Sequence, residues 1–96
     1  MYQLGFTNPI TANGEYNITG LEKGEIYAIK AADTWGGGSI VCSDDTGPGG
    51  RFVPMKNSTL NDAGDFFQFQ AMSSNLRLTL SGATNPELQI TLTRKF

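Results

Sequence analysis

The sequence predicts an all-β fold: a single antiparallel β-sandwich or jelly-roll-like domain of roughly seven to eight short strands. Three observations carry this reading. Apolar and polar residues alternate with a period of two in several short runs, most clearly over 76–80 and 88–92. Glycine-rich polar turns separate the runs, which recur at a spacing of roughly 10–13 residues. No segment sustains a helical period over a useful length.

Taken in order, Asn13-Gly14 is the strongest short turn signal and opens a strand over 15–19. Gly20-Leu21-Glu22-Lys23-Gly24 turns the chain into a run over 25–32. The first half of that run is apolar on both parities, the pattern of a strand covered on both faces or bent as in a barrel. Trp35 followed by Gly36, Gly37 and Gly38 marks a change of direction, because glycine in a strand pattern signals a bulge or a close backbone approach. A strand over 39–43 follows, ended by the polar turn 44–50. In the next run, 51–56, Pro54 cannot donate to a ladder, so this strand belongs at an edge or carries a bulge.

Beyond the loop 57–64, the run 65–70 places Phe67 and Phe69 on one face and Phe66, Gln68 and Gln70 on the other. Leu76, Leu78 and Leu80 oppose Asn75, Arg77 and Thr79; Leu88, Ile90 and Leu92 oppose Glu87, Gln89, Thr91 and Thr93. The segment 82–86 has the length of a hairpin loop joining these last two strands. Residues 1–13, rich in turn formers, read as an N-terminal arm that orders on docking, and 14–96 as one domain.

The 96 residues suffice for a single core, though a chain of this size hides only about 60–70% of its unfolded surface. One cysteine forbids an internal disulfide, which leaves oligomerisation as the remedy for a thin core. Seven basic and nine acidic residues are interspersed, for a net charge of −2. A nucleic-acid-binding face needs clustered positive charge, so DNA or RNA partners are not expected. No apolar run approaches the ~20 residues of a membrane-spanning helix, and residues 1–6 lack the pattern of a signal peptide. The initiating methionine and the single Cys42 fit a protein made in a reducing cytoplasm.

The residues offer little to chemistry. With no histidine, the usual general base and zinc ligand are missing. Cys42 alternates with Ile40 and has no basic neighbour, the setting of a buried, protonated thiol. The acidic clusters 44–47 and 61–65 supply oxygen ligands, but neither matches the twelve-residue calcium loop, and Asp, Asn and Gly are what ordinary turns use. No pair of carboxylates stands out for glycoside cleavage. The expectation is a non-enzymatic protein without cofactor or metal. Trp35, Tyr16, Tyr27 and Tyr2 could form an aromatic platform for sugars, the basis of an alternative reading as a carbohydrate-binding sandwich module. Against it, Trp35 is expected to cover the space left by its three glycines.

The run of pieces from 34 to 93 resembles small structural proteins of tailed bacteriophages. These pieces are a Trp-Gly-Gly strand entry over 35–42, the glycine-rich turn 44–50, the Arg-Phe-Val strand 51–56 and the loop from Thr59 to Gly64. An aromatic strand over 66–69 and a closing Gly-Ala-Thr-x-x-x-Leu-x-Ile-x-Leu over 82–92 complete the set. The resemblance implies a virion component assembled in the host cytoplasm: above all a capsid decoration or cement protein, or else a domain of a head fibre or tail, with a tail or fibre adhesin domain among the alternatives. It implies a homo-oligomer, a trimer first, with the major capsid protein or other virion proteins as partners. Trp35, Phe96, Tyr2 and Phe6 are the candidate interface residues by type, with Pro54, Lys30, Lys56 and Arg77 expected to guard strand edges.

Overall fold

A computed structural model describes residues 3–55, 58–61 and 66–95. Among them run the strands β1 (Gln3–Leu4), β2 (Gly14–Thr19), β3 (Ile26–Thr34), β4 (Ser39–Asp44), β5 (Val53–Pro54), β6 (Phe66–Gln70), β7 (Leu76–Ser81) and β8 (Glu87–Lys95), with one short 3-10 turn at Pro48–Gly50. They form two antiparallel sheets, ordered β1-β2-β7-β4-β5 and β6-β3-β8. The chain is thus the all-β sandwich that its alternation predicts.

That alternation decides which side of each sheet is buried. Ile18, Ile40, Cys42, Leu76, Leu78 and Leu80 point inward from the larger sheet, and Tyr27, Ile29, Ala31, Phe69, Leu88, Ile90 and Leu92 from the smaller one. Pairing registers stack them into rows. Leu78 lies between Tyr16 and Cys42, and Ile29 between Phe67 and Leu92. Each large side chain so buried stabilises the fold by about 1.5–3 kcal/mol. Ile10, Leu21, Trp35, Leu60 and Ala71 enter the same core from the connections.

Only β1–β2 and β4–β5 pair with a chain neighbour; the remaining pairings are long-range. β7 lies between β2 and β4, while β3 lies between β6 and β8. In each run of three consecutive strands, the middle one is held between the outer two of the other run. The last two strands therefore do not form the hairpin suggested by loop length, since β7 and β8 belong to different sheets. Both carry a leucine-rich inner face, and an arch across the core buries both faces where a hairpin would bury them on one side only.

The connections dock in pairs at the two ends of the sandwich. At one end, 35–38 meets 82–85: the Thr84 N–H donates to the Gly36 carbonyl at 2.9 Å, and the Asn13 side chain brackets Ala83, donating to its carbonyl (2.9 Å) and accepting from its N–H (3.0 Å). At the other end, the Leu21 N–H donates to Ser74 O, the Gly24 N–H to Ala71 O and the Ala71 N–H to Glu25 O. Gly24 there takes a φ of 88°, the left-handed position of a glycine bulge.

Two further expectations are revised. β3 has one covered face, not two: Ile26 on its outer side is 40% exposed. Its mixed parity reflects an apolar residue left on the surface. Residues 3–13 are part of the sandwich and not an arm, because β1 pairs with β2, and Ile10, 2% exposed, bridges Leu88. Burial of Ile10 supplies the free energy that ties this segment down.

The glycines after Trp35 provide a direct test. Gly36 (φ 63°) would place a Cβ only 2.2 Å from Thr84 O, whereas Gly37 (φ 80°) has open space around it. Gly37→Ala is expected to cost about 1 kcal/mol from backbone strain alone. Gly36→Ala should cost at least twice as much in urea unfolding, because the docked 82–85 arch must move.

Candidate functional site

A sandwich presents two outer faces and a set of strand edges. Along each edge, backbone N–H and C=O groups need water or a partner. The larger sheet ends on two-residue strands, β1 and β5, the latter carrying Pro54 at the edge position that a proline requires. Beyond β5, the exposed side of β4 is closed by a backbone pair between Ile40 and Leu60, both bonds 2.7 Å. Next to it, the Ser58 hydroxyl donates to Cys42 O (3.0 Å) and accepts from Cys42 N–H (3.3 Å), substituting for a strand residue.

The same device closes β8. Ile10 and Leu88 exchange backbone bonds of 2.8 and 3.0 Å. Two residues along, the Asn8 amide donates to Ile90 O (3.1 Å) and accepts from Ile90 N–H (2.9 Å). Lys30 and Arg77, expected as edge guards, lie on the central strands β3 and β7 instead; Lys56 lies outside the described residues. Arg77 serves the outer face of the larger sheet. Its guanidinium sits 3.9 Å over the Phe52 ring, donates to Asn17 Oδ1 at 3.2 Å and lies 3.7 Å from Glu15.

β6 is different. Among the described residues no strand pairs with its outer edge. Three of the four large apolar side chains exposed among the described residues belong to it or border it: Phe66 (65%) on the strand, Ile26 (40%) paired with Gln70, and Met72 (64%) just beyond. Ile26, Gln68, Phe69 and Gln70 line a shallow open hollow of about 260 Å³ at this edge. The signal for this surface was present in the sequence as apolar residues on the solvent parity, Ile26 on β3 and Phe66 on β6. Their significance depends on β6 being an edge strand, which local pattern does not show.

Of the four residues singled out by type, Trp35 and Phe6 fall among the described residues. Trp35, expected as an interface anchor, is a core residue, 8% exposed, and its Nε1–H has no hydrogen-bond partner among the described residues. The glycine-rich turn folds its indole inward, where its apolar area is best used. Phe6 is half-buried against Tyr16 in an edge-to-face pair, ring centroids 5.4 Å apart. Tyr2 and Phe96 lie outside the described residues. With Trp35 and Tyr27 both buried, those aromatics do not form an exposed platform for a sugar ring.

The polar groups make ordinary structural contacts. Asp44 accepts from Thr46 within its own turn, and Asp45 accepts from Asn75 Nδ2 at 2.8 Å. That bond, with one from Ser73, holds the Asp45 carboxyl below its usual range. The second acidic cluster falls largely outside the described residues. Among the described residues, no three acidic or cysteine side chains converge as metal ligands would. Arg94 pairs with Glu25 at 3.1 Å and Glu22 at 3.8 Å, and the Glu25 hydrogen bond raises its pKa.

Cys42 is fully buried, and desolvation pushes its thiol up to about 12. A thiol this short of thiolate is a poor nucleophile.

Comparison with protein-family models, with curated proteins and with solved structures gives no match to this chain.

Two outcomes follow from the burial of Trp35 and Cys42. Trp35→Ala should lose about 3–5 kcal/mol of stability. Trp35→Phe should lose much less, since it removes an unpartnered N–H while keeping most of the packing. The folded chain holds the Cys42 proton more tightly than the unfolded chain does. Its stabilising contribution is therefore complete below about pH 9 and falls as the pH rises toward 12. Chemical unfolding across that range should show a steeper loss in the parent than in Cys42→Ala, and thiol reagents should label the native protein only on unfolding.

Proposed function

We propose that this chain is a non-enzymatic assembly protein that works through protein–protein contacts, in the setting of a bacteriophage virion as a decoration or cement protein of the head. The observation that carries the reading is the β6 edge, an exposed apolar strip with no partner strand among the described residues, whereas the edge strand β8 is capped at Leu88 and Ile90 by Ile10 and Asn8. Exposed apolar area concentrated at one place marks a contact surface. A cement protein needs a stiff scaffold with one adhesive side, and the docked connections at both ends of the sandwich supply stiffness. The resemblance over 34–93 supplies the phage setting. Many copies on one shell would let a modest affinity per copy add up to substantial stabilisation.

The reading is tested on particles. Quantitative mass spectrometry of virions purified from a producing culture should find the chain at many copies per particle, and adding purified protein to stripped particles should raise their temperature of disruption. A chain that stays in the soluble fraction and never accompanies capsid or tail proteins would overturn it.

A further inference from the structure

We propose that the outer edge of β6 is the contact between two copies of this chain, which pair β6 to β6 antiparallel about a two-fold axis at Gln68. The inference goes beyond the virion reading and does not depend on it.

The hydrogen-bond phase of β6 follows from its C-terminal neighbour. Ala71 exchanges backbone bonds with the 24–25 bulge, so its polar groups point toward β3. Backbone direction alternates along a strand, which turns Phe67 and Phe69 toward β3 as well. Phe66, Gln68 and Gln70 therefore direct their N–H and C=O groups outward, in a regular row. Placed against its own copy with Gln68 at the axis, that row is self-complementary. Gln68 exchanges bonds with Gln68 of the second copy, and Phe66 exchanges them with Gln70 of the second copy.

The side chains fit the same register. β6 (Phe66–Gln70) carries no charge, so self-pairing sets no like charges opposite each other. On the outer face, Phe66 of the second copy lands beside Gln70, over the hollow of about 260 Å³ lined by Ile26, Gln68, Phe69 and Gln70. Two exposed apolar groups on this face, Phe66 and Ile26, are thereby brought toward cover. On the inner face, Phe67 comes opposite Phe69 of the second copy. The stacked Phe67–Phe69 pair, 5.5 Å between centroids, is thus continued across the axis. The two small sheets join into one continuous sheet, the arrangement by which an open edge recruits a strand.

The test is the solution mass of the full chain by light scattering after size exclusion, with sedimentation equilibrium for the affinity. The parent should dimerise, with twice the 10.3 kDa chain mass. Gln68→Pro removes an outward N–H and should give a folded monomer, because a proline is tolerated where the N–H faces away from the ladder. Gln68→Lys and Gln68→Glu should each weaken the dimer by about fivefold, since like charges then face each other at the axis. An equimolar mixture of these two variants should recover parental affinity through mixed dimers, which only a residue facing itself can produce. A parent that stays monomeric at high concentration, a trimer, or a dimer indifferent to all three substitutions overturns the proposal. A β6 dimer that never joins particles would sustain it while removing the virion reading; a particle-bound monomer would do the reverse.

Discussion

The structure depends on interlocking: β7 sits between β2 and β4 while β3 sits between β6 and β8. Each run of three strands must cross between sheets at every step, so neither sheet can be completed without the other. The apolar rows of the two sheets are therefore brought face to face by the same pairings that satisfy the backbone. The consequence is a fold built from long-range contacts, with local hairpins confined to the two-residue edge strands. Such topologies pay loop-closure entropy before the pairings reward it, which places them among slower-folding domains.

Crossing at every step leaves ends and edges to be finished, and the chain finishes them with side chains that act as backbone. Asn13 brackets Ala83, Asn8 brackets Ile90 and Ser58 brackets Cys42, each supplying one donor and one acceptor to a single residue. A short polar side chain can do this where a further strand would not fit. Hydrogen bonds of this kind contribute about 1 kcal/mol each, and a buried group left unpaired would cost more. The Ser58–Cys42 contact lies in the buried interior, so there the second consideration governs.

Finishing the edges is selective, and the selection shapes the surface. Asn8 and Ile10 close β8, Ser58 and Leu60 close β4, and the outer face of the larger sheet carries the Arg77 network. Among the described residues the outer edge of β6 has no partner strand; exposed apolar residues lie beside it, and the strand carries no charge to repel one. Edge strands in monomers are commonly guarded by lysine, proline or a bulge. Within β6 itself none of these is present, and an unguarded edge on an otherwise finished sandwich is a feature of contact surfaces.

The sequence by itself determined the class of fold, the approximate strand positions and the inward face of nearly every strand. Leu76, Leu78, Leu80, Leu88, Ile90 and Leu92 all point where their parity says, and Pro54 marks an edge. These properties are legible because a period of two and the missing proline N–H are local facts. Tertiary structure decided the rest. The segment 82–86 is an arch instead of a hairpin, residues 3–13 belong to the fold, Trp35 faces the core, and the outer edge of β6 has no partner strand among the described residues. Each of these depends on which distant strand supplies the hydrogen bonds. Alternation says which side of a strand is buried, but the partner along its edge is set only when both sheets close over one core.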